Sequence, residues 1–170
     1  MEVLTRFDVN RLLKTDNLDA FVSSLTARLV LVEAAYAKPT SVGVLIALSR
    51  LFAYRLIQNA PVCVYLTAWG IATELPDLFY GYRRSLGGDS RPLIEAPVHW
   101  IEQNEEEVLV SMLFMILAFC WDAWIFDVSG RTMIRVSHDG WIEIRANEEE
   151  AARDIAFDMH DYGVPLLNHK

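Results

Sequence analysis

Four histidines and a scatter of carboxylates are the residues of this chain with general acid–base capacity. His99 follows Glu95 by four positions and precedes Trp100, so a carboxylate–imidazole pair forms there only if the fold supplies a cleft. Asp122 stands beside Trp121 within an apolar run. A carboxylate in that setting must anchor backbone donors or act as a functional acid. Asp122 and Asp127 flank a strand-like segment, and their odd spacing sends them to opposite faces. Asp158, His160 and Asp161 gather at a predicted helix end, where the helix dipole alone accounts for a cationic histidine. His138 falls in a turn and His169 in the tail. Tyr80, Tyr82, Arg83 and Arg84 make a dense aromatic–basic cluster, expected as an exposed face with ion pairs to acidic residues. A phosphate or carboxylate ligand is the alternative occupant.

No HExxH, CxxC, glycine-rich phosphate loop or Gly-x-Ser-x-Gly elbow occurs. The chain therefore carries no recognisable catalytic motif, and neither a metal nor a cofactor is expected. His99, Glu95 and Asp122 are the residues on which a small hydrolase or ligand-binding enzyme would have to be built.

Residues 121–146 are the most structured part of the sequence, with three tryptophans, three arginines and two turn signals in 26 residues. Ser129-Gly130 reads as a two-residue hairpin loop. That register puts Phe126 opposite Met133, Ile125 opposite Ile134 and Trp124 opposite Arg135. At the second turn, a two-residue Asp139-Gly140 loop would mix polar and apolar residues on both faces. A three-residue loop over 138–140, with Gly140 left-handed, pairs Val136 with Ile142, Arg135 with Glu143 and Ile134 with Ile144. One face then becomes wholly aliphatic. A slip of one residue inverts every side chain, so the pattern selects the three-residue loop. The aliphatic face is Ala123, Ile125, Ile134, Val136, Ile142 and Ile144. The opposite face carries Trp124, Phe126, Met133, Arg135, Trp141, Glu143 and Arg145. Tryptophan beside arginine is the composition of binding hot spots, and Trp124, Arg135, Trp141 and Arg145 are the candidate binding residues. Coverage of this face by the chain's own helices is the competing expectation.

The elements around this sheet follow from helical periodicity. Asp8 is placed to cap a short helix to residue 14, with Phe7 and Leu12 as a hydrophobic staple. Asp16 or Asn17 starts a second helix, whose apolar stripe runs from Leu18 to Tyr36 and stops before Pro39. A third helix spans 41–58. Residues 62–69 are β-rich and read as a fourth strand or the start of another helix, with strand slightly preferred. Pro76 and Gly87 bracket a short helix over 77–86. Residues 89–97 are loop, and a helix over 103–119 begins with a run of glutamates. Asn147 with Glu150 has the form of a capping box for a last helix to residue 160.

Apolar residues make up 53% of the chain and mean hydropathy is +0.21. That is high for a water-facing domain, so its elements are covered on both faces or some apolar surface awaits a partner or a second copy. The net charge of −8 is uneven. Residues 1–60 hold seven basic and five acidic residues; the remainder holds eight and eighteen. An acidic second half argues against nucleic-acid binding and suits a basic protein partner. Residues 108–126 are apolar except for Ser111 and Asp122, but no basic cluster flanks them and their second half fits the hairpin, so no membrane span is expected. Cys63 and Cys120 lie in apolar runs and read as buried reduced thiols. The N-terminus lacks a signal layout, which points to the cytoplasm. The expected architecture is α+β: one domain over 1–170, a helical N-terminal half packed on a three-stranded antiparallel meander, and a closing C-terminal helix. The expected function is a non-catalytic, acidic protein-interaction module. A toxin-neutralising immunity protein is an analogy of size and acidity for it.

Overall fold

A computed structural model of the chain describes residues 1–32, 35–58, 60–68, 76–86 and 91–167. Its elements are β1 (Glu2–Leu4), α1 (Arg6–Leu12), α2 (Leu18–Arg28), β2 (Val30–Leu31), β3 (Tyr36–Ala37), α3 (Val42–Ile57), β4 (Val62–Ala68), α4 (Pro76–Ser85), β5 (Val98–Ile101), α5 (Glu106–Phe119), β6 (Asp122–Asp127), β7 (Thr132–Ser137), β8 (Trp141–Ala146) and α6 (Glu149–Asp161). The fold is α+β, with every strand pair antiparallel.

The sheet is larger than the expected meander. Among the described residues eight strands join in the order β1-β5-β4-β6-β7-β8-β2, and β3 also pairs with β8. Residues 62–68 are indeed a strand, and it is central. Trp69 lies outside the described residues. The N-terminal half is not purely helical, since β1 to β4 come from it.

Helices cover both faces. Val62, Val64, Leu66, Ile125, Ile134 and Ile144 meet α3, α5 and α6 on one side. Cys63, Tyr65, Val98, Phe126 and Met133 meet Val9 of α1 and Leu18, Val22 and Leu25 of α2 on the other. A central strand buried on both faces has no reason to alternate, which is why residues 62–66 read as a continuous apolar run. The double coverage also accounts for the high hydropathy. Tyr65 ties the second layer down: its hydroxyl donates to Asp19 Oδ1 at 2.9 Å and accepts from Arg6. Burial, reinforced by the Asp19 carboxylate, pushes its pKa up to about 12.

Several local expectations are corrected. Thr5, not Asp8, caps α1; Asp8 completes the capping box from inside the helix. Phe7 and Leu12 are exposed, so no staple forms. Asn17 caps α2, but the helix ends at Arg28 and the following Val30 and Leu31 pair with β8. Leu29, Val32 and Tyr36 are buried as the periodicity requires, in extended rather than helical chain. A sheet edge in need of a partner outcompetes continuation of a helix through β-branched residues. Residues 98–101 form β5, a strand the periodicity did not reveal. Glu148 rather than Asn147 precedes α6, without a side-chain cap.

The apolar run over 108–126 is divided by geometry. Cys120 ends α5 in a left-handed conformation, φ 52°, and β6 follows. Among the described residues no helix is long and apolar enough to cross a membrane. Cys63 is buried and Cys120 only half-buried, which corrects the expectation for the second thiol.

Candidate functional site

The two hairpins of β6, β7 and β8 have the register that hydrophobic patterning selects. Phe126 faces Met133 and Trp124 faces Arg135; Val136 faces Ile142 and Arg135 faces Glu143. Gly140 takes φ 80° and its N–H donates to the Ser137 carbonyl at 3.0 Å, closing the bulged turn. The first turn differs in detail. Its register stands, but the strands stop at Asp127 and Thr132. The buried Asp127 carboxylate spans the gap, accepting from the N–H groups of Arg131 at 3.0 Å and Thr132 at 2.6 Å and from the Ser129 hydroxyl. Gly130, φ 72°, sits within this clip.

Helix α2 covers the far end of the second face: Phe21 lies 5.7 Å from Phe126, ring to ring. Toward the other end the helices give out, and Trp124, Arg135, Trp141, Glu143 and Arg145 are half-buried. Here Arg135 stacks between two indoles. Its guanidinium carbon lies 4.6 Å from the Trp124 ring centroid and 4.7 Å from that of Trp141. Cross-strand pairing places Trp124 directly opposite Arg135, and Trp141 is its diagonal neighbour on β8. Arg145 has a different role. Its Nη1 donates to the Thr26 and Leu29 carbonyls at 3.0 and 3.3 Å, and its Nε to Glu143 at 2.6 Å. It caps the C-terminus of α2, where a cation also favours the helix dipole.

A recess of about 200 Å³ adjoins the stack, lined by Thr67, Asp122, Trp124, Arg135, His138 and Trp141 among others. Asp122 Oδ1 accepts the His138 backbone N–H at 2.9 Å, and Oδ2 meets the ring Nδ1 at 2.6 Å. Asp122 thus anchors backbone, as expected of it, and orients an imidazole as well. Asp122 and, less closely, Asp139 raise the His138 pKa above its ordinary value. The ring's Nε2 faces Asp139 at 3.4 Å, so both nitrogens look at carboxylates.

No family model, curated protein or solved structure matches this chain.

The remaining candidates do not converge. His99 is buried, opposite Val64, with its ring edge-to-face on Phe79 at 5.3 Å. Glu95 is exposed on the preceding loop. Asp122 pairs opposite Ala68, far along β4 from Val64. Arg83, expected on an exposed face, is fully buried; it stacks on Phe79 and Tyr80 and donates to the Arg91 carbonyl at 3.1 Å. Asp158 pairs with Arg55 at 2.6 Å. Among the described residues no group of three or more His, Cys, Asp or Glu is arranged to hold a metal ion. His138 is the site residue that sequence reasoning passed over as a turn residue. The register itself was the available signal, because pairing Ala123 with Val136 sets Asp122 level with Ser137 and so within reach of His138, one residue beyond the strand end.

Proposed function

We propose that this chain is a non-catalytic protein-interaction module, of the class that toxin-neutralising immunity proteins exemplify. Its contact face is Trp124, Arg135 and Trp141, with Arg145 bracing the strand beneath. The observation that carries the reading is the Arg135 guanidinium held between two half-buried indoles. Hot spots concentrate in tryptophan, which offers a large contact area with only two torsions to freeze, and in arginine, whose planar guanidinium stacks on rings and donates several hydrogen bonds. Stacking fixes these side chains before a partner arrives. The chain's charge of −8 favours approach of a basic partner.

A small hydrolase using His99, Glu95 and Asp122 has less support, because the His99 imidazole is buried while the Glu95 carboxylate is exposed on its loop. The test is a pull-down from the source organism's lysate with the wild-type chain and with Trp141→Ala, followed by affinity measurement on whatever partner the wild type retains. The expected result is a basic partner whose binding weakens by about 2 kcal/mol or more in Trp141→Ala while the melting temperature stays nearly unchanged. A large stability loss with unaltered affinity for a retained partner would return this face to the core.

A further inference from the structure

The outer side of the helix layer departs from what water requires of a surface. α3 exposes a residue at every fourth position, Val42, Ile46, Arg50 and Tyr54, and only one of the four is charged. Val42 is 60% exposed and Ile46 44%. α5 carries no charged residue beyond Glu107, although Ser111 is exposed and Phe114 and Ala118 are half-buried along it. A surface helix turns charged residues to water, and one that is apolar all round is covered. The sheet does not account for these side chains, because Leu48, Phe52, Leu113 and Ile116 already fill the sheet side of both helices.

The two helices run antiparallel. Gln103, just ahead of α5, donates to the carbonyls of Ile57 and Gln58 at the end of α3, at 3.4 and 3.2 Å. One turn further along, Glu107 Oε1 lies 4.0 Å from Arg50 Nη1. A groove of about 370 Å³ continues from there along the seam, lined by Ile46, Ser111 and Phe114 among others, with Tyr82 of α4 at its side. Among the described residues its charged lining is Arg50 and Glu107, one of each sign at the same level.

That pair selects the occupant. Identical chains most often meet about a two-fold axis, which sets one patch against itself. An axis running along the helix pair keeps every residue at its level and exchanges left for right. α3 of one copy then lies on α5 of the other. Arg50 meets Glu107 of the second copy, and Ile46 meets Phe114 in the same way. The four helices form a bundle, and the four charges alternate in sign around a ring. An axis across the helices would instead set Arg50 against Arg50 or against apolar side chains. A partner of one charge sign would place either Arg50 or Glu107 against its like. The chain's net charge of −8 opposes self-association, so copies are brought together best by a locally neutral face.

We propose that the outer face of α3 and α5 is the interface of a two-fold dimer of this chain, sealed by Ile46 and Phe114 and keyed by Arg50 against Glu107 of the second copy. The Trp124–Arg135–Trp141 stack lies on the other side of the sheet, so the dimer leaves two such faces pointing away from each other. The inference does not depend on that face binding a partner.

Sedimentation equilibrium of the full chain over a range of concentrations tests the arrangement. The wild type should pass from monomer to dimer as concentration rises. Arg50→Glu and Glu107→Arg should each weaken self-association at least about tenfold, because each sets like charges together at two points of the ring. The two side chains are 64% and 80% exposed, and an exposed ion pair contributes little to folding, so both variants keep the fold. An equimolar mixture of the two variants should recover the dimer, since each supplies the charge that the other lacks. Ile46→Asp should also weaken association, by placing a charge in the apolar seam. A photo-crosslinking side chain in place of Ile46, activated in the source organism's lysate, should yield a species of twice the chain's mass. The proposal is overturned if the wild type stays monomeric at every concentration, or if the mixture associates no better than either variant alone. It is equally overturned if Trp141→Ala rather than Ile46→Asp dissolves the dimer, or if the crosslinker captures only a different protein.

Discussion

Asp122 holds His138 at two points, through the backbone N–H at 2.9 Å and through the ring Nδ1 at 2.6 Å. The contact pins the open end of the β6–β7 hairpin beside the Trp124–Arg135–Trp141 stack. It favours the protonated ring, so the His138 pKa is raised, first by the hydrogen bond to Asp122 and then by the charges of Asp122 and Asp139. A raised folded-state pKa contributes stability below the unfolded value of about 6.5, and that contribution fades as pH rises through the folded value. Asp122→Asn keeps an oxygen for the backbone N–H and loses the charge. Its melting temperature should fall below that of the wild type at pH near 6 and converge with it as the histidine deprotonates. A proton NMR titration should show the His138 midpoint move down in the variant; superimposable titrations would mean the carboxylate does not hold the ring.

Gly140 makes the bulged turn possible. Its φ is 80°, and a Cβ built there meets no atom within 4 Å, so any cost of substitution arises in the backbone alone. Gly140→Val should destabilise the fold by about 1–2 kcal/mol, since a β-branched residue resists the left-handed region. Gly140→Asn should cost less, because asparagine visits that region. Urea denaturation of the two variants separates them, and equal losses would remove the conformational explanation.

Asp127 is the clip of the other turn. With its carboxylate accepting from Arg131, Thr132 and Ser129, Asp127→Ala leaves two backbone donors without their partner in a buried setting. The expected loss is about 2–3 kcal/mol by denaturant titration. Asp127→Asn should recover only part of it, because an amide nitrogen cannot accept. A neutral alanine variant would show that water replaces the carboxylate without penalty.

The two cysteines should separate under a thiol reagent. Burial raises the Cys63 thiol pKa far above its ordinary value, and the side chain is inaccessible. Cys120, at the half-buried end of α5, should react first in native buffer. Cys63 should react only when denaturant opens the sheet, as mass spectrometry after timed quenching would show. Labelling of Cys63 at the rate of Cys120 would place β4 nearer the surface than its position between β5 and β6 allows.

Much of the β6–β8 unit was legible because its determinants are local. Turn residues limit loop length, and a period of two converts an incorrect register into a buried charge, so the pairings of Trp124 with Arg135 and Val136 with Ile142 follow from residues 121–146 alone. The same locality identified α3 and the anchoring role of Asp122. It failed at residues 29–37, where helical periodicity and strand pairing bury the same Leu29, Val32 and Tyr36. It failed at β5, whose four residues are too few to show a period. Arg83 read as a surface cation because the rings that enclose it include Phe79, itself packed by contact with His99 and Trp121 across the chain.

The sequence by itself determined the α+β class, the hairpin registers, the left-handed Gly140 and which side chains share the face of Trp124 and Arg135, because each depends on neighbours a few residues apart. Tertiary structure alone decided how many strands join the sheet, that helices cover both its faces, that His99 is interior while Glu95 is exposed, and that α2 stops short of Trp141. Those outcomes rest on contacts between residues distant in the chain, where several segments compete for the same apolar surface and the closest packing, not local preference, selects among them.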